Sequence, residues 1–510
     1  MVLSPGRGLV AALIAAAPLL AQTVPVTTHT LSNGMRLLLV ERHDQPTIAS
    51  GWITRAGSAN ERPGITGMAH LFEHMMFKGS RTIGTKDIKR DLELNDLQDQ
   101  LRAEIRKEDD LLRAKQLRGD IPDMADPKAR SEHHQQLIVA FGKLVKEQQD
   151  LLVKGEFDTL FTKAGATATN AFTTNDETFY YTVVPSNKLE LWAWMESDRL
   201  RQPVFREFYA ERDVVTEERR MRTDATPTGK FEEAFQAMIW TAHPYHWPVV
   251  GWASDVTSIT REQANDFFAT YYAPNNLTAV LVGDFKSAEA LALCERYLGR
   301  IPANPKGVPA LVTLEPKQLA EKRMLAEAET TPMAQVWFKT VPIGHKDEPA
   351  LMILSYLLNG QSGRFQKSLV LDQKLATAAF AGPNDRKYGG TFILYGVASG
   401  DHQPEEVEAG LYREIEKIKA EGIPALELRK AKNQAQADSF RKLENNEGLM
   451  TQLAMADASD NLPYFLAQPT LLEAVSAEDL QRVAKTYLVK ENRNVAIYTR
   501  RQPVAKLEAK

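Results

Sequence analysis

Three residues of one pentapeptide, His70-Leu-Phe-Glu-His74, are of types and at spacings that could do chemistry together. On an α-helix His70 and His74, four apart, project from one face a single turn apart. That spacing lets two imidazole nitrogens share one zinc ion. Glu73 reaches the same open face, where it can accept a proton from a water whose pKa the metal lowers. The alternative is a helix whose histidines merely cap or pack. The flanks weigh against it. Gly64 to Ala69 lead in with turn residues, Met75, Met76 and Phe77 continue an apolar face, and Lys78-Gly79 supplies a stop. The helix is thus short and largely buried, and His and Glu buried there without partners would be costly.

A tetrahedral site with one open position needs a third protein ligand. The candidate segment is Glu211-Arg-Asp-Val-Val-Thr-Glu-Glu218, in which Glu211 and Glu218 stand two helical turns apart and face the same way. Glu217 points about a third of a turn away and reads as surface. The order H-x-x-E-H is the inverzincin signature. Followed by E-x6-E within E-R-D-V-V-x-E-E, it resembles the pitrilysin/insulysin family of zinc peptidases, which includes the mitochondrial processing peptidase. The resemblance implies an α+β fold of two homologous pitrilysin-like domains in tandem, each an α/β sandwich. It implies one Zn2+ per chain held by His70, His74 and Glu218, with Glu211 an auxiliary carboxylate of the catalytic site and Glu73 the general base. The family closes a chamber over the site with its second domain.

Around these residues the chain must supply a scaffold and a place for substrate. Gly165 to Thr182 alternates and is rich in Thr and aromatics, the pattern of a hairpin or edge strand, with an ordinary internal strand as the alternative. An open edge can pair with an extended peptide through main-chain hydrogen bonds. By resemblance, Asn170, Ala171 and Phe172 form the substrate-binding strand, with Asn170 and Ala171 beside the scissile bond. The imidazole of His243, in His243-Pro-Tyr245, reads as structural. The stretch from His74 to Glu218 is about twice as long as the family's. The excess, about residues 86–152, is charged and helical in composition and broken at Gly119 to Pro122 and at Asp126-Pro127. This predicts an inserted helical hairpin outside the catalytic core, with His133 and His134 solvated on its second arm.

An internal repeat sets the domain organisation. Thr260 to Tyr272 matches Ser476 to Leu488, and Ala49 to Thr54 matches Ala334 to Lys339. Registered on Gly79 and Gly360, His70, Glu73 and His74 fall opposite Leu351, Leu354 and Ser355, while Glu211 and Glu218 fall opposite Leu428 and Ala435. The second half therefore keeps the scaffold without the metal residues. The expected division is a signal peptide over 1–21, a zinc-bearing domain over 25–300, a Pro-rich linker over 301–322 and a degenerate homologous domain over 323–510. The start carries one positive charge, then an apolar run from Leu9 to Ala21, too short to span a bilayer. It predicts export to the periplasm or medium, with an uncleaved anchor as the alternative. The lone Cys294 permits no intramolecular disulfide and reads as a small buried residue.

With a formal net charge of −4 and no basic stripe, nucleic acid is not an expected partner. The expected substrate is a peptide or an unfolded polypeptide segment, cut by an exported metalloendopeptidase. Two other classes stay open: a non-catalytic or partner-dependent assembly subunit of the same family, and a zinc-stabilised binding module. The family's self-sufficient members carry an Arg and a Tyr in the second half that stabilise developing oxyanion charge. Here the matching positions are Val370 and Thr377, and Arg364 is the nearest cation. The expected assembly is therefore a heterodimer with a second family member that carries the Arg/Tyr pair, or else a homodimer.

Overall fold

The computed structural model describes residues 24–501. The expected leader and residues 502–510 lie outside the described residues. The first sheet comprises β1 (Thr27–Thr30), β2 (Arg36–Glu41), β3 (Thr47–Thr54), β4 (Thr167–Thr173), β5 (Thr178–Pro185) and β6 (Leu277–Gly283), in the spatial order β1-β2-β6-β3-β5-β4. The second comprises β7 (Lys322–Ala328), β8 (Met333–Lys339), β9 (Ala376–Asn384), β10 (Thr391–Ala398) and β11 (Arg493–Arg500), in the order β7-β11-β8-β10-β9. Apart from β1 the two orders superpose strand for strand. Each has one parallel pair, β2 with β6 and β7 with β11. The repeated helices Arg261–Tyr271 and Ala477–Tyr487 each begin with a capping box and lead into the last strand of their sheet. The α+β class with two related halves is thus observed.

β3 is buried on both faces because both are covered, so its burial runs continuously rather than alternating. One face packs against the helix Met68–Met75 through Trp52, Phe72, Tyr180 and Tyr272. The other face is closed by the second half. Helix Asn446–Ala458 sets Leu449, Met450, Leu453 and Ala454 on Leu38, Ile53, Phe179 and Val280. Asp457 of that helix is 3% exposed and binds Arg36 at 2.6 Å and Arg55 at 2.7 Å. Reciprocally, helix Gly229–Ile239 of the first half sets Phe235 and Ile239 on Met333, Ala496 and Tyr498 of the second sheet. Each buried Leu or Phe contributes about 1.5–3 kcal/mol. The two halves are therefore repeats in sequence that complete each other's cores in space.

Residues 302–321 carry neither helix nor strand, and Glu315 pins them by accepting from the backbone N–H groups of Thr241, Ala242 and His243. The long segment after the first helix forms helices Ile88–Leu117 and Glu132–Leu151, which pack on each other. Two expectations for this hairpin need correction. His133 is exposed, but His134 is 2% exposed, with Nε2 3.3 Å from Asp109, because its position turns it between the arms. The hairpin also does not stand clear of the core: Asp91, Asn95 and Gln98 are buried against it. Cys294 is fully buried, and burial pushes its thiol up to about 12.

Candidate metal centre

The helix Met68–Met75 starts at Gly67, whose φ of 89° places it in the left-handed region and where any Cβ would collide with the Val250 carbonyl and the Val256 side chain. The N–H groups of Gly67 and Ala69 donate to buried Glu61, which fixes the first turn. Leu71, Phe72 and Met75 fill the core, leaving His70, Glu73 and His74 on the opposite side. The second helix of the site, Phe208–Arg219, buries Phe208 and Val215 and turns Glu211 and Glu218 to the histidines.

Ligand atoms of His70, His74 and Glu218 all lie within 4.8 Å of one another. Oε1 of Glu218 is 3.7 Å from Nε2 of His70, and its Oε2 is 3.5 Å from Nε2 of His74. Bonds of about 2.0–2.2 Å at tetrahedral angles set ligand atoms about 3.4 Å apart, so the residues fit a zinc ion. Glu211 accepts from Nδ1 of His74 at 2.9 Å, which fixes the tautomer and leaves the Nε2 lone pair free. Its other oxygen is 2.5 Å from Nζ of Lys78. Burial, opposed and outweighed by His74 and Lys78, leaves the Glu211 carboxyl below the usual range. Burial, His74 and Arg222 push His70 down to about 3, so it stays neutral and able to ligate. Burial works to lower His74 too, but Glu211, Glu218 and Glu73 together raise it. Glu217 is exposed and pairs with Arg220, facing away.

Glu73 sits beside this triad, its carboxyl raised chiefly by burial and partly restrained by a hydrogen bond from Thr173 Oγ1 at 2.6 Å. Thr173 ends β4, so the last residue of that strand touches the candidate base. Among the described residues β4 pairs with β5 alone, and its other edge is open. A bulge interrupts the register between Thr167 and Asn170, where Ala168 has a φ of 53°. Beyond it the Ala171 N–H donates to its neighbour's Asn170 Oδ1 at 2.9 Å rather than to β5, so it points to the open edge. Ala171 and Thr173 share the face of the metal residues. Phe172 alternates to the other face and packs on Phe179 and Tyr181, leaving only its main chain at the edge.

Sequence reasoning missed Thr173, Lys78 and Arg222, whose NH1 lies 2.7 Å from Glu218 Oε1. Strand alternation from Ala171 could have found Thr173. Arg222 stands four residues after Glu218, a helical pairing distance that could have found it, whereas the pairing of Lys78 with Glu211 had no sequence signal. His243 is buried, lowered to about 4 by burial, and caps its own loop through Nδ1, as a structural residue would. In the second half Leu351 and Leu354 are fully buried core and Ser355 bonds its own helix at Met352. Ala435 is buried and Leu428 packs on the same cluster. Val370 is half-buried, Thr377 is exposed at the start of β9, and Arg364 is held by Glu427 at 2.9 Å.

Comparison with known proteins gives consistent matches. The family model described as insulinase (peptidase family M16) matches residues 36–136, and that described as the peptidase M16 inactive domain matches residues 258–435. The zinc protease PqqE of Helicobacter pylori is 26% identical over 482 residues, covering 92% of this chain and 91% of that protein. The crystal structure of a protease from Helicobacter pylori superposes with a TM-score of 0.75 at 23% identity, over 93% of this chain and 99% of that one. The periplasmic protease PqqL of Escherichia coli superposes with a TM-score of 0.68 at 18% identity, over 93% of this chain but 47% of that one.

Proposed function

This chain belongs to peptidase family M16, and we propose that it is an exported zinc-dependent metalloendopeptidase that cleaves peptides or unfolded polypeptide segments. The observation that carries the proposal is the convergence of His70, His74 and Glu218 within 4.8 Å, with Glu73 one helical position before His74 and held by Thr173. Zinc held there would polarise the scissile carbonyl and lower the pKa of the attacking water. Glu73 takes the proton from that water and passes it to the leaving amine. Its raised carboxyl suits it to both directions of transfer, and the Thr173 hydroxyl orients it. Glu211 keeps the His74 proton on Nδ1, so it acts by positioning rather than on substrate. An extended peptide added to the open edge of β4 exchanges main-chain bonds near Asn170 and Ala171, displacing the Asn170 amide from the Ala171 N–H. That register carries it past Glu73. The apolar run after Arg7 supports export, as does the likeness to a periplasmic protease. His74→Ala and Glu218→Ala test the metal set: each should lose zinc and chelator-sensitive cleavage together, and full zinc content in either would move a ligand elsewhere.

A partner-dependent version of the same activity is favoured by one observation. Val370 and Thr377 stand where the Arg/Tyr pair is expected, and Arg364 is engaged by Glu427 within its own half. The loss of one oxyanion donor costs about a hundredfold to a thousandfold. We propose a heterodimer in which a second family member supplies the pair, with a homodimer as the competing assembly. Adding such a subunit should raise cleavage by about that factor. Full activity of this chain alone, unchanged by any partner, would rule it out.

A further inference from the structure

Buried polar groups concentrate where the hairpin meets the catalytic half. Asp91, on the first arm, is fully buried and accepts from Arg206 Nε at 2.8 Å. Arg206 is 1% exposed and spends three further donors on the carbonyls of Lys78 at 2.7 Å, Ile83 at 2.9 Å and Ser80 at 2.7 Å. It thereby ties the chain leaving the H-x-x-E-H helix to the start of the Glu211/Glu218 helix. Gln148, on the second arm, donates to Asp91 at 2.7 Å and to Asn95 at 2.8 Å, locking the arms together. One turn on, Asp99, whose own side chain is 41% exposed, accepts from the Tyr209 hydroxyl at 2.7 Å and pairs with buried Arg261 at 3.0 Å. Arg261 also donates to the Asn95 carbonyl at 2.7 Å. Tyr209 lies on the Glu211/Glu218 helix, two residues before Glu211.

A buried ion pair is poor evidence of added stability, because desolvation offsets its attraction. What such a network does well is fix one arrangement of the elements it joins, since any other leaves charges buried and unpaired. The elements joined here are the two helices that carry the metal residues. The connection continues into the site: Arg206 holds the Lys78 carbonyl, Lys78 Nζ binds Glu211, and Glu211 binds Nδ1 of His74. The Tyr209 hydroxyl makes a second, independent tie to the same helix. On the outer side of the hairpin, Arg90 with Glu93 and Glu147 forms an exposed cluster that reaches neither helix.

We propose that the inserted hairpin is a clamp that sets the spacing of the two metal-bearing helices, with Asp91 and Asp99 on it as positioning residues, Asp99 acting through Tyr209. The inference rests on the zinc reading above. It runs against the sequence expectation that the hairpin lies outside the catalytic core.

The test measures zinc affinity by chelator competition, and the visible spectrum of the Co2+-loaded protein, for wild type, Tyr209→Phe, Asp91→Asn and Arg90→Ala. Tyr209→Phe removes one hydroxyl and leaves the ring packed. The expected result is a zinc affinity about tenfold weaker, the lower end of the usual effect of residues behind metal ligands. A changed Co2+ spectrum should accompany it. Asp91→Asn should do the same if it folds; failure to fold would itself show that the half depends on the hairpin, and Tyr209→Phe then decides. Arg90→Ala should leave both readouts unchanged. Folded Tyr209→Phe with wild-type affinity and spectrum would overturn the clamp. Wild-type protein that binds no zinc would instead overturn the underlying reading, so the two failures are distinguishable.

Discussion

Replacing Glu211 by Gln is the change whose consequence the structure specifies most closely. The carboxylate faces two donors at once, Nδ1–H of His74 at 2.9 Å and the Lys78 ammonium at 2.5 Å. Glutamine has nearly the same shape but only one acceptor oxygen, so one donor must face an amide N–H. If Lys78 keeps the oxygen, His74 loses the partner that holds its tautomer and raises the basicity of Nε2. Loss of such a partner behind a metal-bound histidine typically weakens metal affinity about 10–100-fold. That corresponds to about 1.4–2.7 kcal/mol. The upper end is expected, because Glu211 is 9% exposed and water can restore little. The pH dependence adds a second signature. Zinc competes with the proton on His74, and Glu211 is among the groups that raise that imidazole. The wild type therefore starts to lose zinc at a higher pH than the variant does, so the affinity gap should be widest near pH 8 and narrow towards pH 6. Competition titrations with a zinc chelator at both pH values measure it. Equal affinities at pH 8, or a gap that widens on acidification, would refute the reasoning.

Thr173→Val removes the hydrogen bond that restrains the Glu73 carboxyl. Activity needs Glu73 deprotonated, so the acid limb of kcat/KM should move to higher pH while zinc content stays constant; an unmoved limb would separate Thr173 from the base. Glu315→Ala leaves three backbone N–H groups and Lys339 without their acceptor, and should cost about 2 kcal/mol in a denaturant titration at pH 7. Despite its burial, Lys339 and those N–H groups hold Glu315 down at about 2, below the unfolded value near 4.5. Its contribution is thus complete above about pH 4.5 and should fade as pH falls towards 2.

The candidate metal residues were legible in part through local rules, the choice of Glu218 over Glu211 coming from the family resemblance. Four-residue spacing puts His70 and His74 on one face, and seven-residue spacing does the same for Glu211 and Glu218. The repeat was legible through its capped helices, and the sheet orders reproduce it. What was hidden depends on tertiary partners. Helix Asn446–Ala458 is apolar with little amphipathic bias, so its sequence says neither which face it buries nor that this face meets the other half's sheet. The charged composition of residues 88–117 suggested solvation, yet Asp91 and Asn95 are buried, since a charge is tolerated inside wherever an arginine from elsewhere meets it. The resemblance puts Phe172 in the substrate-binding strand, and the structure turns its side chain to the face away from the metal residues, a side that alternation alone cannot assign.

The central claim is that Glu73 moves the proton while His70, His74 and Glu218 hold the metal, and Glu73→Gln measured for zinc content and peptide cleavage in the same preparation tests it most directly. The account predicts one zinc per chain, as in the wild type, with cleavage reduced by about a hundredfold to ten-thousandfold. Cleavage by Glu73→Gln at the wild-type rate with zinc in place would contradict it.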